Sequence, residues 1–263
     1  MSELNRVDTA LLEVVAGMKD GRAEGAFNIR KDSGCAGRVN TENVTITTKT
    51  DKPGIDIRFV PGCRDSCHIP VIITESGLRE TVYNDFYVGE GDGNGKNVMN
   101  PTTVAYLEEG ASMQMDMSQI GGIDSTRRDT RIVCGKDADV VITERLLTHG
   151  GQRAESDMTI ELNGENARGR VISRSVAKNG SVQVFRPCVV GNAKCFGHVQ
   201  CDSIIMDEAK IRSVPEIAAN DLDAQLIHEA ANGRIAGDQL LKLETLGLTE
   251  EEAEDRILKG FLA

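Results

Sequence analysis

Cysteine and histidine are the residue types in this sequence best suited to binding a soft metal, and they are few enough to be assessed group by group. The 263 residues include seven cysteines and four histidines. Cys63, Cys67 and His68 lie close together, but their spacing fits no common zinc finger and no paired cluster follows them. This group on its own therefore predicts no zinc site.

A second group consists of Cys195, His198 and Cys201, spaced three residues apart. In a straight strand, at ~3.3 Å per residue, the two cysteines would lie about 20 Å apart and His198 would face the opposite side. These three side chains cannot share one metal unless the chain bends sharply. For any single cysteine, the alternative is a small buried apolar residue.

Short β-strands must position these residues, because the sequence between about Val39 and Pro215 alternates apolar and polar residues between turns. A polar turn that ends in alanine recurs along this region, at Ala111, Ala138, Ala167, Ala193 and Ala209. The steps between these alanines are 27, 29, 26 and 16 residues. Three near-equal steps favour a β-solenoid of about 27 residues per coil, with a β-sandwich as the alternative.

The inferred coil length brings Cys201 next to another candidate ligand. Cys201 and His228 are 27 residues apart, and equivalent positions on adjacent coils lie about 4.8 Å apart. His228 and Glu229 must face opposite sides of a strand. A thiolate beside an imidazole or a carboxylate is half of an iron site, and two half-sites across a two-fold axis supply the four ligands of an iron–sulfur cluster. A buried cysteine beside a solvated His–Glu pair is the alternative.

Helical patterns flank the β-rich region. One face of a helix near the N-terminus is formed by Leu11, Leu12, Val15 and Met18. Near the C-terminus, Asp238 is expected to cap a leucine-rich helix ending at Gly247, and a capping box at Thr249 opens a second helix closed by Gly260. These patterns predict an N-terminal helical segment (1–38), a β-solenoid core (39–232) and a C-terminal helical region (233–263).

The composition limits the classes of partner. Thirty basic and 41 acidic side chains give a net charge of −11, so nucleic acid and anionic membranes would repel the chain. The first residues lack the basic and apolar regions of a signal peptide, and no apolar stretch is long enough to span a bilayer. Seven cysteines without such a signal indicate reduced thiols. We therefore expect a cytoplasmic protein with neither nucleic acid nor membrane as a partner.

Several motifs from about residue 55 to the C-terminus resemble, in the same order, the SufB/SufD family of iron–sulfur cluster assembly scaffolds in its short archaeal-type form. They are Ala105–Ala111, Gln119–Thr126, Glu144–His149, Glu161–Gly164, Gly197–Ile205, Leu226–Ala230 and Gly247–Ala253. The resemblance implies a right-handed parallel β-helix. It also implies a C-terminal helical region that docks a SufC-like ABC ATPase, here through Leu240, Leu243, Leu246, Ile257 and Phe261.

The resemblance also implies roles for single residues. Cys201 matches the cluster-ligand cysteine of the family's Gln-Cys-Asp-Ser motif, and His228 with Glu229 matches its His–Glu pair. Ile227 replaces the glutamate that precedes this pair in SufB, which puts a three-residue carboxylate-rich site in doubt. Cys63 resembles the cysteine that accepts sulfur from a desulfurase. No role follows for Cys67, Cys195 or His198.

Three functions remain open at this point. The first is a cluster scaffold that builds a transient iron–sulfur cluster at the interface of a homodimer or a SufB/SufD-type heterodimer, with a cysteine desulfurase or other sulfur donor. The second is a SufD-like interaction partner of the ATPase that holds no cluster. The third, a carbohydrate-active β-helix enzyme, is the weakest, since the chain has only nine aromatic residues. No catalytic triad or phosphate-binding loop is visible, so no enzyme is predicted.

Overall fold

The structure, a computed structural model, describes the backbone of residues 26–30, 44–47, 54–60, 67–75, 80–88, 98–121 and 123–263. Side chains are described for residues 103–120 and 123–263. The predicted N-terminal helix and Cys63 lie outside these residues. A strand at Ala26–Arg30 lies within the segment 1–38, for which helix was predicted.

Two parallel sheets contain all the described strands, and successive strands alternate between them except for one consecutive pair near the end, which shares the second sheet. The first sheet contains, in spatial order, β1 (Ala26–Arg30), β3 (Gly54–Val60), β5 (Glu80–Val88), β7 (Ser112–Gly121), β9 (Asp139–Thr148), β11 (Arg168–Ala177), β13 (Phe196–Ile205) and β16 (Gln225–Gly233). The second contains β2 (Val44–Thr47), β4 (Cys67–Glu75), β6 (Val98–Leu107), β8 (Ser125–Cys134), β10 (Arg153–Leu162), β12 (Val182–Gly191) and β14 (Lys210–Ser213), with β15 (Glu216–Ala219) also paired to β12. This alternation confirms the predicted β-solenoid and excludes the β-sandwich.

The strand register confirms the repeat and corrects one position in it. Ser112 pairs with Asp139, and Asp139 pairs with Arg168, so these coils span 27 and 29 residues. The next partner of Arg168 is Phe196, which places Cys195 and not Ala193 at the corner position of the earlier alanines. Ala193 lies two residues before this corner position, because the coil spans 28 residues whereas the step from Ala167 to Ala193 is 26.

The core lies between the two sheets because every second residue of each strand faces inward. In β9 the burial alternates without interruption along the ten residues. Ile132, Ile142 and Met115 are fully buried, and each such side chain contributes about 1.5–3 kcal/mol to folding. Gly197 takes an inward position where a β-carbon would meet the side chains of Leu226 at 2.7 Å and Val189 at 2.8 Å, so a larger residue here would have to displace them.

Two helices follow the solenoid, as predicted. They are α1 (Gly237–Glu244) and α2 (Glu250–Phe261). Thr249 forms the predicted capping box with Glu252. The predicted cap at Asp238 is wrong: the N-cap residue is Ala236, and Asp238 lies in the first turn, where its carboxylate accepts a hydrogen bond from the Gln239 amide.

Helix α2 lies against the outer face of the first sheet. Leu258 and Leu262 pack on Val176, and Lys178 pairs with Glu254. The Arg174 guanidinium donates a hydrogen bond of 2.7 Å to the Ala263 carbonyl oxygen. The C-terminal region is therefore attached to the solenoid wall by both apolar packing and polar contacts. Neither described helix is long and apolar enough to cross a membrane.

Candidate functional site

A line of polar side chains runs along the otherwise apolar interior of the solenoid. On the inner face of the first sheet, Glu144 pairs in register with Ser173, and Ser173 pairs with Cys201. On the second sheet, Arg128 pairs with Ser156. These residues place polar groups of both sheets next to one another inside the core. The line continues along the solenoid toward the last coil.

The carboxylate of Glu144 is the centre of this line. Its Oε1 accepts hydrogen bonds from Arg128 at 3.1 Å and from Ser156 at 2.8 Å, and its Oε2 accepts one from Ser173 at 2.9 Å. The side chains of Arg128 and Glu144 are 4% and 2% exposed. A buried ion pair compensates its desolvation only when further hydrogen bonds satisfy it, and the two serines supply such bonds to the carboxylate of Glu144.

Cys201 lies at the end of the polar line, next to His228. The distance from Cys201 Sγ to His228 Nε2 is 3.4 Å. The register places Cys201 opposite Ala230 and His228 opposite Val199, so the contact is diagonal between same-face positions of β13 and β16. The predicted proximity of Cys201 and His228 is confirmed.

Burial raises the pKa of the Cys201 thiol to about 12, and the negative charges of Glu144 and Asp202 add to the rise. The metal-free thiol is therefore protonated at neutral pH. Only the thiolate is a good metal ligand, so binding iron must displace this proton.

A small cavity lies beside Cys201 within the polar line. Its volume of about 20 Å³ is room for one water molecule. Besides Cys201, its polar lining includes Glu144, Gln183, Asp202, Asn232, Ser156, Ser173, Ser175, Ser203 and Ser213. The cavity thus leaves room for one water molecule beside the thiol.

The last coil is more open than the coils before it. The inward residues of β13 are buried, whereas the residues of β16 are exposed or half-buried along the whole strand. Within the described part of the chain, no further strand pairs with the outer edge of β16. Apolar side chains are exposed at this end, namely Val214, Ile217, Leu222 and Ile227. The Cys201–His228 pair thus lies at an uncovered end of the solenoid.

The third predicted ligand, Glu229, faces away from Cys201. Its Oε2 lies 3.5 Å from His198 Nε2 on the outer face of the sheet. The structure therefore brings Cys201 and His228 together, and it separates Glu229 from them by the thickness of one strand.

The other cysteines of the described chain do not join this site. Cys195 is buried at the corner that precedes β13, and burial raises its thiol pKa. His198 faces outward and Cys201 inward, so the three evenly spaced residues share no metal, as expected for a straight strand. For Cys67 only the backbone, in β4, is described. Among the described residues, no group of three His, Cys, Asp or Glu side chains could hold a metal ion.

The helical region exposes only part of its predicted apolar surface. Leu246 is 75% exposed, whereas Leu240, Leu243, Ile257 and Phe261 are half-buried. Leu241, which was not among the predicted contact residues, is 60% exposed. Within the helical region, Leu241 and Leu246 are therefore the apolar side chains most available to a partner.

The pair of Arg128 and Glu144 was missed from the sequence, although a signal was present. Glu144 occupies an inward position in the alternating segment Val140–Thr148, where the pattern leads one to expect an apolar residue. Arg128 interrupts the inward positions of β8 in the same way. Charged residues at inward positions of two strands whose coils are adjacent indicate a buried ion pair.

Comparison with known proteins gives a consistent result. The family model described as "SUF system FeS cluster assembly, SufBD core domain" matches residues 86–261. An iron–sulfur cluster assembly SufBD family protein of Methanocaldococcus jannaschii is 31% identical over 185 residues, which are 68% of this chain and 57% of that protein. Another, from Archaeoglobus fulgidus, is 28% identical over 166 residues, or 62% of this chain and 45% of that protein. The chain thus spans about half the length of these two relatives.

Proposed function

The chain belongs to the SufBD family, and on that premise we propose that it is a scaffold on which an iron–sulfur cluster is assembled. The observation that carries this proposal is the contact between Cys201 and His228. Iron and sulfide are the substrates of this assembly, and the protein supplies the ligands that hold them together until transfer.

The distance between the two side chains suits joint binding of one metal. Two ligands of a tetrahedral metal, at ~2.3 Å for sulfur and ~2.0 Å for nitrogen, lie about 3.5 Å apart. The observed separation of Sγ and Nε2 is 3.4 Å. An iron ion could therefore bind both atoms with little movement of either strand, once the thiol has lost its proton.

A second chain would complete the ligand set. One chain offers two ligands, and a cluster of the two-iron or four-iron type takes four. The uncovered edge of β16 and the exposed apolar side chains at the end of the solenoid suit contact with another chain across a two-fold axis. We propose that such a homodimer, or a SufB/SufD-type heterodimer, encloses the cluster.

The helical region is the proposed contact surface for a SufC-like ABC ATPase. Leu241 and Leu246 are exposed there, while α2 remains attached to the solenoid through Leu258. Movement of the helices by the ATPase would thereby be transmitted to the solenoid wall. The predicted contact residues Leu240, Leu243, Ile257 and Phe261 are half-buried. They would pack beneath the exposed leucines and hold them in position.

Sulfur is proposed to arrive as persulfide from a desulfurase or another donor. Cys63 stays the predicted acceptor. The polar line from Arg128 to Cys201 supports a path inside the solenoid, because serine hydroxyls and one carboxylate interrupt the apolar core in the direction of the thiol. The path would deliver the persulfide sulfur to Cys201, where two electrons from an external thiol or reduced flavin would release it as sulfide and free the Cys201 thiol for iron.

Anaerobic reconstitution with iron and sulfide tests the scaffold function. The wild-type chain should retain iron and acid-labile sulfide after desalting, and Cys201→Ser should lose most of both. The matched control is Cys188→Ser, since Cys188 is a half-buried cysteine on the outward side of β12. Equal retention by the two variants would refute the assignment of Cys201.

A SufD-like interaction partner without a cluster is the second candidate. The burial of Cys201 and its raised pKa favour this alternative, because a protonated buried thiol is inert toward metals and electrophiles. A dimeric wild-type sample that binds the ATPase but retains no iron or sulfide would support it.

A further inference from the structure

Ser213 carries a buried hydroxyl near Cys201 that the proposed cluster site does not use. It lies on β14 of the second sheet and lines the same small cavity as Cys201, which lies on β13 of the first sheet. Within the described part of the chain, the Ser213 Oγ atom is buried and has no hydrogen-bond partner. Buried polar groups are nearly always paired, so a lone donor beside a ligand sulfur requires an explanation.

Neighbouring hydroxyls of the same cavity already have partners. Ser156 and Ser173 both donate hydrogen bonds to the buried carboxylate at the centre of the polar line. Ser203 is hydrogen-bonded to Asn232. Ser213 differs from these three serines because its hydroxyl remains available as a donor.

The strand register relates Ser213 to Cys201 as it relates an earlier serine to a carboxylate. Glu144 and Cys201 occupy the same inward row of the first sheet, two coils apart. Ser156, Phe185 and Ser213 follow one another in an inward row of the second sheet. In both coils the serine comes 12 residues after its counterpart. Since Ser156 donates a hydrogen bond of 2.8 Å across the interior to Glu144, the backbone directs Ser213 toward the sulfur in the same way.

The charge of the sulfur determines how well it accepts such a hydrogen bond. A neutral thiol is a weak acceptor, whereas a hydrogen bond to an ionised acceptor is roughly twice as strong as one between neutral groups. Burial raises the pKa of the Cys201 thiol, and the nearby hydroxyl of Ser213 acts in the opposite direction. The hydroxyl therefore gains little from the protonated thiol and more from a sulfur that has bound a metal.

We propose that the Ser213 hydroxyl donates a hydrogen bond to Cys201 Sγ when this sulfur binds iron. This inference rests on the proposed function and adds a positioning residue to it. The hydrogen bond comes from the second sheet, whereas His228 approaches the sulfur from β16 of the first sheet, so the sulfur is held from two sides. The hydroxyl keeps its proton and no electron is transferred. Hydrogen bonds to sulfur also influence the reduction potential of an iron–sulfur cluster.

Co²⁺ tests this role without cluster assembly, because a thiolate bound to Co²⁺ produces a sulfur-to-metal charge-transfer band. The full chain is titrated anaerobically with Co²⁺ alone, and the band that disappears in Cys201→Ser reports on this sulfur. Ser213→Ala should weaken Co²⁺ binding about tenfold or more, since loss of an outer contact to a ligand costs about 10–100-fold in metal affinity. The band should also move to longer wavelength, because the sulfur electrons lose a stabilising hydrogen bond.

The matched control is Ser203→Ala, which removes a hydroxyl of the same cavity whose partner is Asn232. It should keep the wild-type affinity and band position. The proposal is overturned if the band of Ser213→Ala stays at the position of this control, whatever its affinity, or if no band depends on Cys201. Failure of the scaffold function would appear instead as wild-type protein that loses iron and sulfide after reconstitution, although its Co²⁺ band still depends on Ser213.

Discussion

The middle coils and the last coil of the solenoid have the same strand register but place their polar side chains in different environments. In the middle coils, Glu144 has partners on both walls and almost no exposure to solvent. In the last coil, His228 is half-buried and lies against Cys201 at an uncovered edge. The buried carboxylate is held in one position by partners on both walls, whereas the pair at the open edge leaves space for the proposed iron and second chain.

The largest effect is expected in the middle coils. Glu144→Ala removes the buried carboxylate that Arg128, Ser156 and Ser173 contact, and breaking such a pair costs about 3–5 kcal/mol. A urea titration should show a much lower midpoint than for wild type. The control is Glu161→Ala, since the outer pair of Glu161 and Arg131 is partly exposed and worth about 1 kcal/mol or less. Similar midpoints for the two variants would show that the buried pair does not stabilise the coil.

The next effect concerns the thiol of Cys201, next to the last coil. The pKa of Cys201 is raised from 9.0 to about 12, so at pH 8 the folded chain should contain about a thousandfold less thiolate at this position than the unfolded chain. Because only the thiolate is alkylated, the rate at Cys201 should keep rising as the pH increases from 8 to 11. Peptide mass mapping of metal-free protein measures this rate. A plateau below pH 9 would contradict the raised pKa.

A smaller effect is expected from the histidine of the same pair. His228→Ala removes one of the two proposed ligands and should lower cluster retention after anaerobic reconstitution by about tenfold or more. His149→Ala, which changes an exposed histidine, should retain the wild-type amount. Iron and acid-labile sulfide per chain are the measurements. If both variants retain equal amounts, His228 is not a ligand and the last coil contributes none.

The smallest effect is expected in the helical region. Leu246→Asp places a charge in the exposed apolar surface and should weaken binding of a SufC-like ATPase about tenfold. Gln239→Asp adds the same charge to an exposed polar position of α1 and should leave binding nearly unchanged. Titration of the ATPase against immobilised full-length chain separates the two. Equal weakening would mean that charge, and not the apolar contact, determines binding.

The sequence predicted the repeat better than it predicted contacts between coils. The near-equal steps between Ala111, Ala138 and Ala167 revealed the solenoid, because each corner must bury a small residue. Cys201 and His228 were paired from a separation of one 27-residue coil, but the last coils are 29 residues apart in register, and the contact arises diagonally. The corners between strands differ in length by one or two residues. The spacing of the alanines does not show these differences, so it cannot predict which residues pair between coils.

Burial inside the solenoid was less predictable than strand order. The inward position of Glu144 was visible in the alternation, but its partner Arg128 comes from the opposite wall. Contacts across the interior depend on how far apart the two sheets lie at each level, and a linear repeat contains no such information. The outward pairing of His198 with Glu229 was missed for a related reason, since it depends on the true register of β16.

The central claim is that two chains share one cluster at the open ends of their solenoids. Native mass spectrometry of the anaerobically reconstituted full chain tests this most directly. The account predicts a dimer that carries one iron–sulfur cluster, a monomer that carries none, and a Cys201→Ser dimer free of iron and sulfide. A cluster found on single chains, or retained by the Cys201→Ser variant, would contradict it.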